Sequence, residues 1–524
     1  MRKSTIRGFM ILASISVFFS SCFKQLDLTP EYGLNTETVY EDPSNYIHVL
    51  AKLYAGLAIT GNQGPAGSPD ISGIDEGFSA YIRVLWNLQE LPTDEAICGW
   101  PDEGIPELNY ANWNSTSPFV QAMYYRIFYQ IPLCNEFIRY CSDEWMGDHG
   151  FSDADQEIIR TYKAEARFLR ALSYYHAMDL FGNVPFVTED DLPGAGFPEQ
   201  IQRADLFDYI EDELLAIEGD LVDARANEYA RADKAAAWTL LARMYLNAEV
   251  YRGTDRYADC ITYCDKVINA GYTLEPNYEH LFIADNNLSN EVIFPVTFDG
   301  LNTQTYGGTT FLVHASIGGS MTPSDYGVVT GWGGLRSLPT LVNAFPDTDD
   351  GRYLFYTDGQ QLSVDTTQEF TNGYAVTKWK NITQDGESGS DPTGQYVDID
   401  FPMFRLADVY LMYAEAALRG GGDVGTGLGY FNQLRERAYG DASHNAGSID
   451  LDDILNERAR ELYWEGQRRT DLIRFGKFTG GTYVWQWKNN DPTGASIPDY
   501  FDLYPIPFAD LVANPNNLEQ NPGY

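Results

Sequence analysis

The chain has 524 residues, with 75 acidic against 35 basic side chains and a formal net charge of −40. So acidic a surface repels phosphate backbones, which excludes nucleic-acid binding, and it disfavours adsorption to anionic lipid by charge alone. The length is enough to bury a large core, and no low-complexity linker or long charge run divides it.

The first segment reads as a processing signal. Arg2, Lys3 and Arg7 open it, Phe9 to Phe19 is apolar but too short to span a bilayer, and Ser20-Ser21-Cys22 closes it. The pattern resembles a bacterial lipobox, with Phe19 where leucine is usual. It predicts a leader over residues 1–21 and acyl chains on Cys22 as the membrane anchor. Cys98, Cys134, Cys141, Cys260 and Cys264 remain, an odd number that leaves at least one thiol unpaired within the chain. Cys260 and Cys264 share a helix face, the wrong geometry for a relaxed disulfide, and no Cys-x-x-Cys pair is present, so core packing is their expected role.

Phe23 to Tyr40 is expected to be extended. Helices are expected over YIHVLAKLYAGLA (46–58), Phe78 to Leu91, Phe119 to Cys141 and Asp205 to Leu221, while Pro92 to Pro118 has little periodicity. The strongest signal is Thr161 to Val187. Ala164, Phe168, Ala171, Leu172, Tyr175 and Met178 fall on one helical stripe; Tyr162, Ala166, Leu169, Ala177 and Leu180 make a second. Two apolar faces mean burial between neighbours, and Gly182, Asn183 and Pro185 supply the stop.

The device returns in Ala232 to Tyr251, followed by a turn and Tyr257 to Ile268, and again in Phe404 to Gly422 followed by LGYFNQLRERAYG (428–440). A helix, a short turn and a second helix over about 34–40 residues is the tetratricopeptide period. Alanines alternating with large aromatics suit interlocking pairs. From Glu291 to Phe401 the helical period vanishes. EVIFPVTFDG reads as a strand, YAVTKWK as a shorter one, and GGTTFLVHASIGGS and YGVVTGWGGLRSL as loops. Ile454 to Phe478 reads as one last long helix, and the Pro- and Asn-rich tail is expected to lie ordered against the rest.

LWNLQELPTDEA, ARFLRALSYYHAMDLFGNVPFV, FRLADVYLMYAEA, ELYWEGQRRTDLIRFGKF and the closing YPIP…NPNNLEQNPGY, in that order and behind a lipobox, resemble the SusD-like (RagB/SusD) outer-membrane nutrient-binding lipoproteins of the Bacteroidetes. The resemblance implies a mostly α fold: about four tetratricopeptide-like helix pairs as a scaffold, with an irregular loop-rich C-terminal region carrying a few short strands. The boundaries expected are a helical region over 22–290, a loop-rich insertion over 291–401, and helices with an ordered tail over 402–524, together one compact domain. It further implies a cell-surface lipoprotein that captures oligo- or polysaccharide and passes it to a SusC-type TonB-dependent transporter, over whose barrel it acts as a lid. Peptide binding by the same class of protein is the alternative, and a glycoside hydrolase the remote one.

A sugar ring has an apolar C–H face and a rim of hydroxyls, so Trp and Tyr stack on it while Asp, Asn and Arg pair with the rim. Loops on a rigid scaffold supply such groups. Two aromatic loop clusters fit: Trp100, Tyr110 and Trp113 with Asp75 and Arg83, and Tyr306, Tyr326 and Trp332 with Arg336. Trp100 and Trp332 are the leading candidates. Trp379 and Asn372 are weaker ones, and Trp86, inside a helix, is expected in the core.

Other constellations read as structural. Glu457, Glu461 and Glu465 beside Arg458, Arg460, Arg468 and Arg469 suggest a salt-bridged helix face rather than an acid–base site. DTDDGRYLFYTDG (347–359) hints at a calcium loop, but Gly351 falls at its fifth position and Asp358 at its twelfth, which gives calcium weak support. There is no His-Glu-x-x-His pair, nucleophile elbow or phosphate loop, so no cofactor or catalytic set is expected.

Overall fold

The computed structural model describes residues 36–65, 67–192, 194 and 196–524. The leader and Cys22 lie outside the described residues, as does most of the segment expected to be extended. Its described end, Thr36–Tyr40, is instead a short helix, with Tyr40 stacked on Tyr140 at 4.3 Å.

Helices dominate and pack as neighbours: Pro118–Tyr140 on Asp153–Phe181, Asp153–Phe181 on Arg203–Ile217, Lys234–Leu246 on Tyr257–Ile268, and Leu406–Ala416 on Val424–Tyr439. The Tyr257–Ile268 helix also packs on Leu406–Ala416, joining two pairs into one stack. This is the expected scaffold of paired helices.

The Asp153–Phe181 helix shows how local chemistry sets a boundary. The Ser152 side chain accepts from the Asp155 N–H at its start, with Asp153 and Asp155 in the positive first turn. From Ala164 to Phe181 nearly every side chain is buried, as two apolar stripes demand. Gly182 ends it at φ 72°, a left-handed conformation that glycine adopts without penalty. The carbonyls left unpaired at the end are taken by the tail: Tyr504 N donates to Leu180 O at 2.8 Å and Asn521 Nδ2 to Phe181 O at 2.8 Å. The tail is therefore ordered because it completes a helix terminus.

Strands are few and short. Val292–Val296 pairs antiparallel with Phe401–Arg405, so the helix read from Phe404 begins at Leu406. Ala96–Cys98 pairs antiparallel with Leu335–Ser337. YAVTKWK contributes only Ala375–Val376.

Two further expectations are corrected. GGTTFLVHASIGGS is not a loop, since Gly308–Ala315 is a helix whose every residue is buried. Burial on all sides erases the apolar–polar period by which a helix is recognised. The last long helix is two, Leu451–Leu462 and Arg468–Arg474. The break is held from across the molecule. Glu90 Oε1 accepts from the N–H groups of Gly466 and Gln467 at 2.6 and 3.1 Å, and Glu95 Oε2 from that of Trp464 at 3.2 Å. Trp464 sits there at φ 63°.

The charged face expected around Glu457, Glu461 and Glu465 is a buried network. Glu461 accepts from Arg352, Arg405 and Arg437, Glu457 from Arg352 and Arg460, and Glu465 from Arg405 and Lys378. Burial pushes the Glu457 carboxyl up, but Arg352 and Arg460 outweigh it and hold it at about 2. The network also takes up one carboxylate of the calcium-like loop: Asp350 accepts from Arg352 at 2.7 Å. The five cysteines among the described residues are buried thiols, with the Cys260 and Cys264 sulfurs 4.0 Å apart.

Candidate functional site

The pairing of Ala96–Cys98 with Leu335–Ser337 brings together two loops that are distant in sequence. Gly99 N donates to Gly334 O at 2.9 Å just beyond the last pair, and the chains then diverge into Trp100 on one side and Trp332 on the other. The Trp100 indole N–H donates to Trp332 O at 3.2 Å across 232 residues of sequence. Asn109 extends the pairing by side chain: its Oδ1 accepts from Cys98 N and its Nδ2 donates to Cys98 O.

Each ring has a fixed bed. Trp100 lies on Gly334, where a Cβ would fall 2.4 Å from the indole Cε2, so the close approach requires glycine. Trp332 stacks on His314 at 4.7 Å and 19°. The His314 Nδ1–H donates to Thr330 O at 2.7 Å, and burial lowers the pKa of the ring, so the support is a neutral imidazole. Tyr306 meets Trp332 edge-on at 6.3 Å and 62°, and Trp100 and Trp332 are 6.4 Å apart and tilted by 45°. The three rings form a curved surface. Trp100, Trp332 and Tyr306 are all partly exposed.

Trp100 and Trp332 line a solvent-open cleft of about 570 Å³, with Asp75, Arg83, Phe78, Phe119, Asp102 and Glu103 among its other walls. Arg83 is 8 % exposed and lies 4.3 Å above the Phe311 ring. Its Nη1 donates to Gly77 O at 2.8 Å and Tyr306 O at 3.0 Å, which ties the two loops together. Burial brings its pKa down to about 10, opposed by the charges of Asp102 and Asp75, and the guanidinium stays charged at neutral pH. The Gly308–Ala315 helix supplies the floor: Phe311 lies under Arg83 and against Trp100, and His314 under Trp332.

Of the residues singled out in the sequence, Asp75, Arg83, Trp100, Trp332 and Tyr306 come together. The others do not. Trp113 is 2 % exposed, packed between Phe501 and Tyr504, with its N–H donated to Tyr524 Oη at 2.8 Å. Arg336 is fully buried and spends its guanidinium on the carbonyls of Gly334, Thr367 and Asn372, so it ties the Trp332 loop to the 367–372 segment. Tyr326 is 9 % exposed, and Tyr110 rests on Trp487 at 5.9 Å with its hydroxyl 3.2 Å from Thr367 Oγ1. Trp379 is buried against Phe401, and Asn372 accepts from Thr366 N. Trp86 is in the core, as expected. Asp102 and Glu103 were not singled out, although they follow Trp100 within two and three positions. Phe311 and His314 were hidden in a segment read as loop. Among the described residues, no helix is long and apolar enough to cross a membrane, and no three His, Cys, Asp or Glu side chains could hold a metal ion.

Fold and site define a helix-pair scaffold that presents a curved aromatic cleft to solvent. Comparison with known proteins places it. The model of the SusD family matches residues 350–524. The sequence is 36 % identical to the starch-binding protein SusD of Bacteroides thetaiotaomicron over 98 % of this chain and 98 % of that protein. It is 28 % identical to a SusD-like protein of Bacteroides ovatus over 90 % of this chain and 82 % of that one. The chain belongs to the SusD family. Among solved structures, a SusD superfamily protein of Parabacteroides distasonis has the same fold (TM-score 0.71, 22 % identity, 92 % of this chain and 99 % of that one). So does surface glycan-binding protein A of Bacteroides thetaiotaomicron in complex with laminarihexaose (TM-score 0.70, 19 % identity, 91 % and 99 %).

Proposed function

We propose that this chain is a cell-surface glycan-binding lipoprotein, anchored through Cys22 to the outer membrane, that captures a starch-type α-glucan and hands it to a SusC-type TonB-dependent transporter. The observation that carries the reading is the tilted arc of Trp100 and Trp332, which line the cleft, and Tyr306, which meets Trp332 edge-on. Rings inclined by 45° and 62° offer no flat platform for a straight glycan ribbon. They match a helical glucan, whose successive sugar faces turn along a curve. Asp75 and Arg83 stand at the edge of the arc to pair with the hydroxyl rim. Starch is the ligand in the name of the relative with 36 % identity, which supports the same choice. Nothing in this reading breaks a bond: the protein acts by binding.

Calorimetry with maltoheptaose tests it. The wild type is expected to bind, and Trp100→Ala and Trp332→Ala each to weaken binding by about 1–3 kcal/mol without unfolding the protein. Failure of the wild type to bind any α-glucan, or binding of peptides in its place, would overturn the proposal. Incubation with the same ligand is expected to release no new reducing ends. Cys22→Ser is expected to abolish acylation and release the protein from the membrane fraction.

A further inference from the structure

The mouth of the cleft is acidic as well as aromatic. Asp102 and Glu103 lie in its wall, both exposed, and among the described residues neither carboxylate has a hydrogen-bond or ion-pair partner within the protein. Asp75 lines the same cleft, with one oxygen accepting from Gly77 N at 2.7 Å. Arg83 is the one cation among the lining residues. It is turned inward, its Nη1 committed to two backbone carbonyls and its face to Phe311. Three carboxylates, two of them without a partner, thus face the cleft against one guanidinium, of which only Nη1 is hydrogen-bonded by the protein.

We infer that Asp102 and Glu103 determine specificity, accepting hydrogen bonds from the hydroxyls of a neutral glucan and turning away glycans that carry phosphate, sulfate or uronate groups. The inference rests on the glucan reading above. A carboxylate only accepts, so a sugar hydroxyl can donate to it and form a charge-assisted bond, whereas an anionic substituent brings no donor and meets like charge. Two or three unit charges within a few ångströms of such a substituent, at the intermediate dielectric of an open cleft, are enough for roughly tenfold discrimination. Because the groups are exposed, salt should weaken the effect.

The test compares two ligands by calorimetry on the full mature chain: malto-oligosaccharides bearing phosphate monoesters, and the same preparation after phosphatase treatment. The wild type is expected to prefer the dephosphorylated ligand about tenfold at low salt, with the ratio narrowing as salt rises. The Asp102→Asn, Glu103→Gln double variant keeps acceptor oxygens but not charge, and its ratio is expected to approach one. A ratio near one in the wild type, or one unchanged by salt or by the double substitution, would overturn the assignment while leaving glucan binding intact. Failure of the wild type to bind even the dephosphorylated ligand would instead remove the glucan reading and this inference with it.

Discussion

Trp100 and Trp113 are separated by thirteen positions, stand in the same aperiodic segment and are both tryptophans among Gly, Pro and Asn, yet they end in opposite environments. Trp100 reaches the cleft because Gly334 leaves room for its ring and Trp332 O holds its N–H. Trp113 is closed over by Phe501, Tyr504 and Tyr524 from the far end of the chain. Two expectations follow at this scale. Trp113→Ala empties a packed site and is expected to cost about 3–5 kcal/mol in chemical denaturation, while the folded variant keeps its maltoheptaose affinity. Gly334→Ala forces a methyl into the space of the Trp100 ring. Overpacking of this kind costs about 1–3 kcal/mol, and because the moving part is the binding ring, the loss is expected to appear in calorimetric affinity. An unaltered affinity would mean that Trp100 works without its bed.

At the scale of elements, the break between Leu451–Leu462 and Arg468–Arg474 is made by two buried carboxylates on a segment far away in sequence. Burial, opposed by the Gly466 and Gln467 amides, pushes the Glu90 carboxyl up to about 8, and burial together with the nearby Glu90 raises Glu95 as well. Arg468, bound to Asp94, and Tyr483 complete the charged surroundings. A carboxyl whose pKa is raised by folding holds a proton in the folded state that the unfolded chain releases. It therefore favours the fold at low pH, and that support is lost as pH rises from about 4.5 to about 8. Glu90→Gln cannot ionise and keeps an oxygen for both amides. Its stability relative to the wild type is expected to improve across that window by about 1.4 kcal/mol per pH unit, read from denaturant midpoints at several pH values. A gap that stays constant with pH would show that Glu90 is ionised in the folded protein.

For the molecule as a whole, the buried ion network joins the loop at Asp350, the strand ending at Arg405, and the helices carrying Arg437 and Glu461. Asp408, placed between Arg243 and Arg458, belongs to a second such cluster; those two cations overcome the effect of burial and hold its carboxyl at about 2. A carboxyl depressed by folding stabilises above its unfolded pKa and loses that contribution as pH falls toward the folded value. Between about pH 4.5 and 2 the protein is therefore expected to lose stability steeply, about 3 kcal/mol for Glu457 alone. Melting curves over that range check this: a melting temperature that is flat down to pH 2 would rule it out.

The sequence alone determined those helices whose stripes, caps and stops are local: Tyr46–Ala58 falls where expected, and the Thr161 stretch ends at Gly182. It also showed which aperiodic segments are rich in aromatic and charged residues, though not which of them are exposed, and the order of its motifs pointed to the SusD family. Tertiary structure alone decided which of those side chains share a cleft, since Trp100 and Trp332 meet only through the pairing of Ala96–Cys98 with Leu335–Ser337, a contact without local signature. It likewise decided that Gly308–Ala315 is a helix and that Ile454 to Phe478 is not one helix but two. In the first case burial on every face removes the period, and in the second the capping groups come from residues some 370 positions away. Propensity and periodicity act over a few turns of chain, whereas burial and the partners of a backbone amide depend on whatever the rest of the molecule brings alongside.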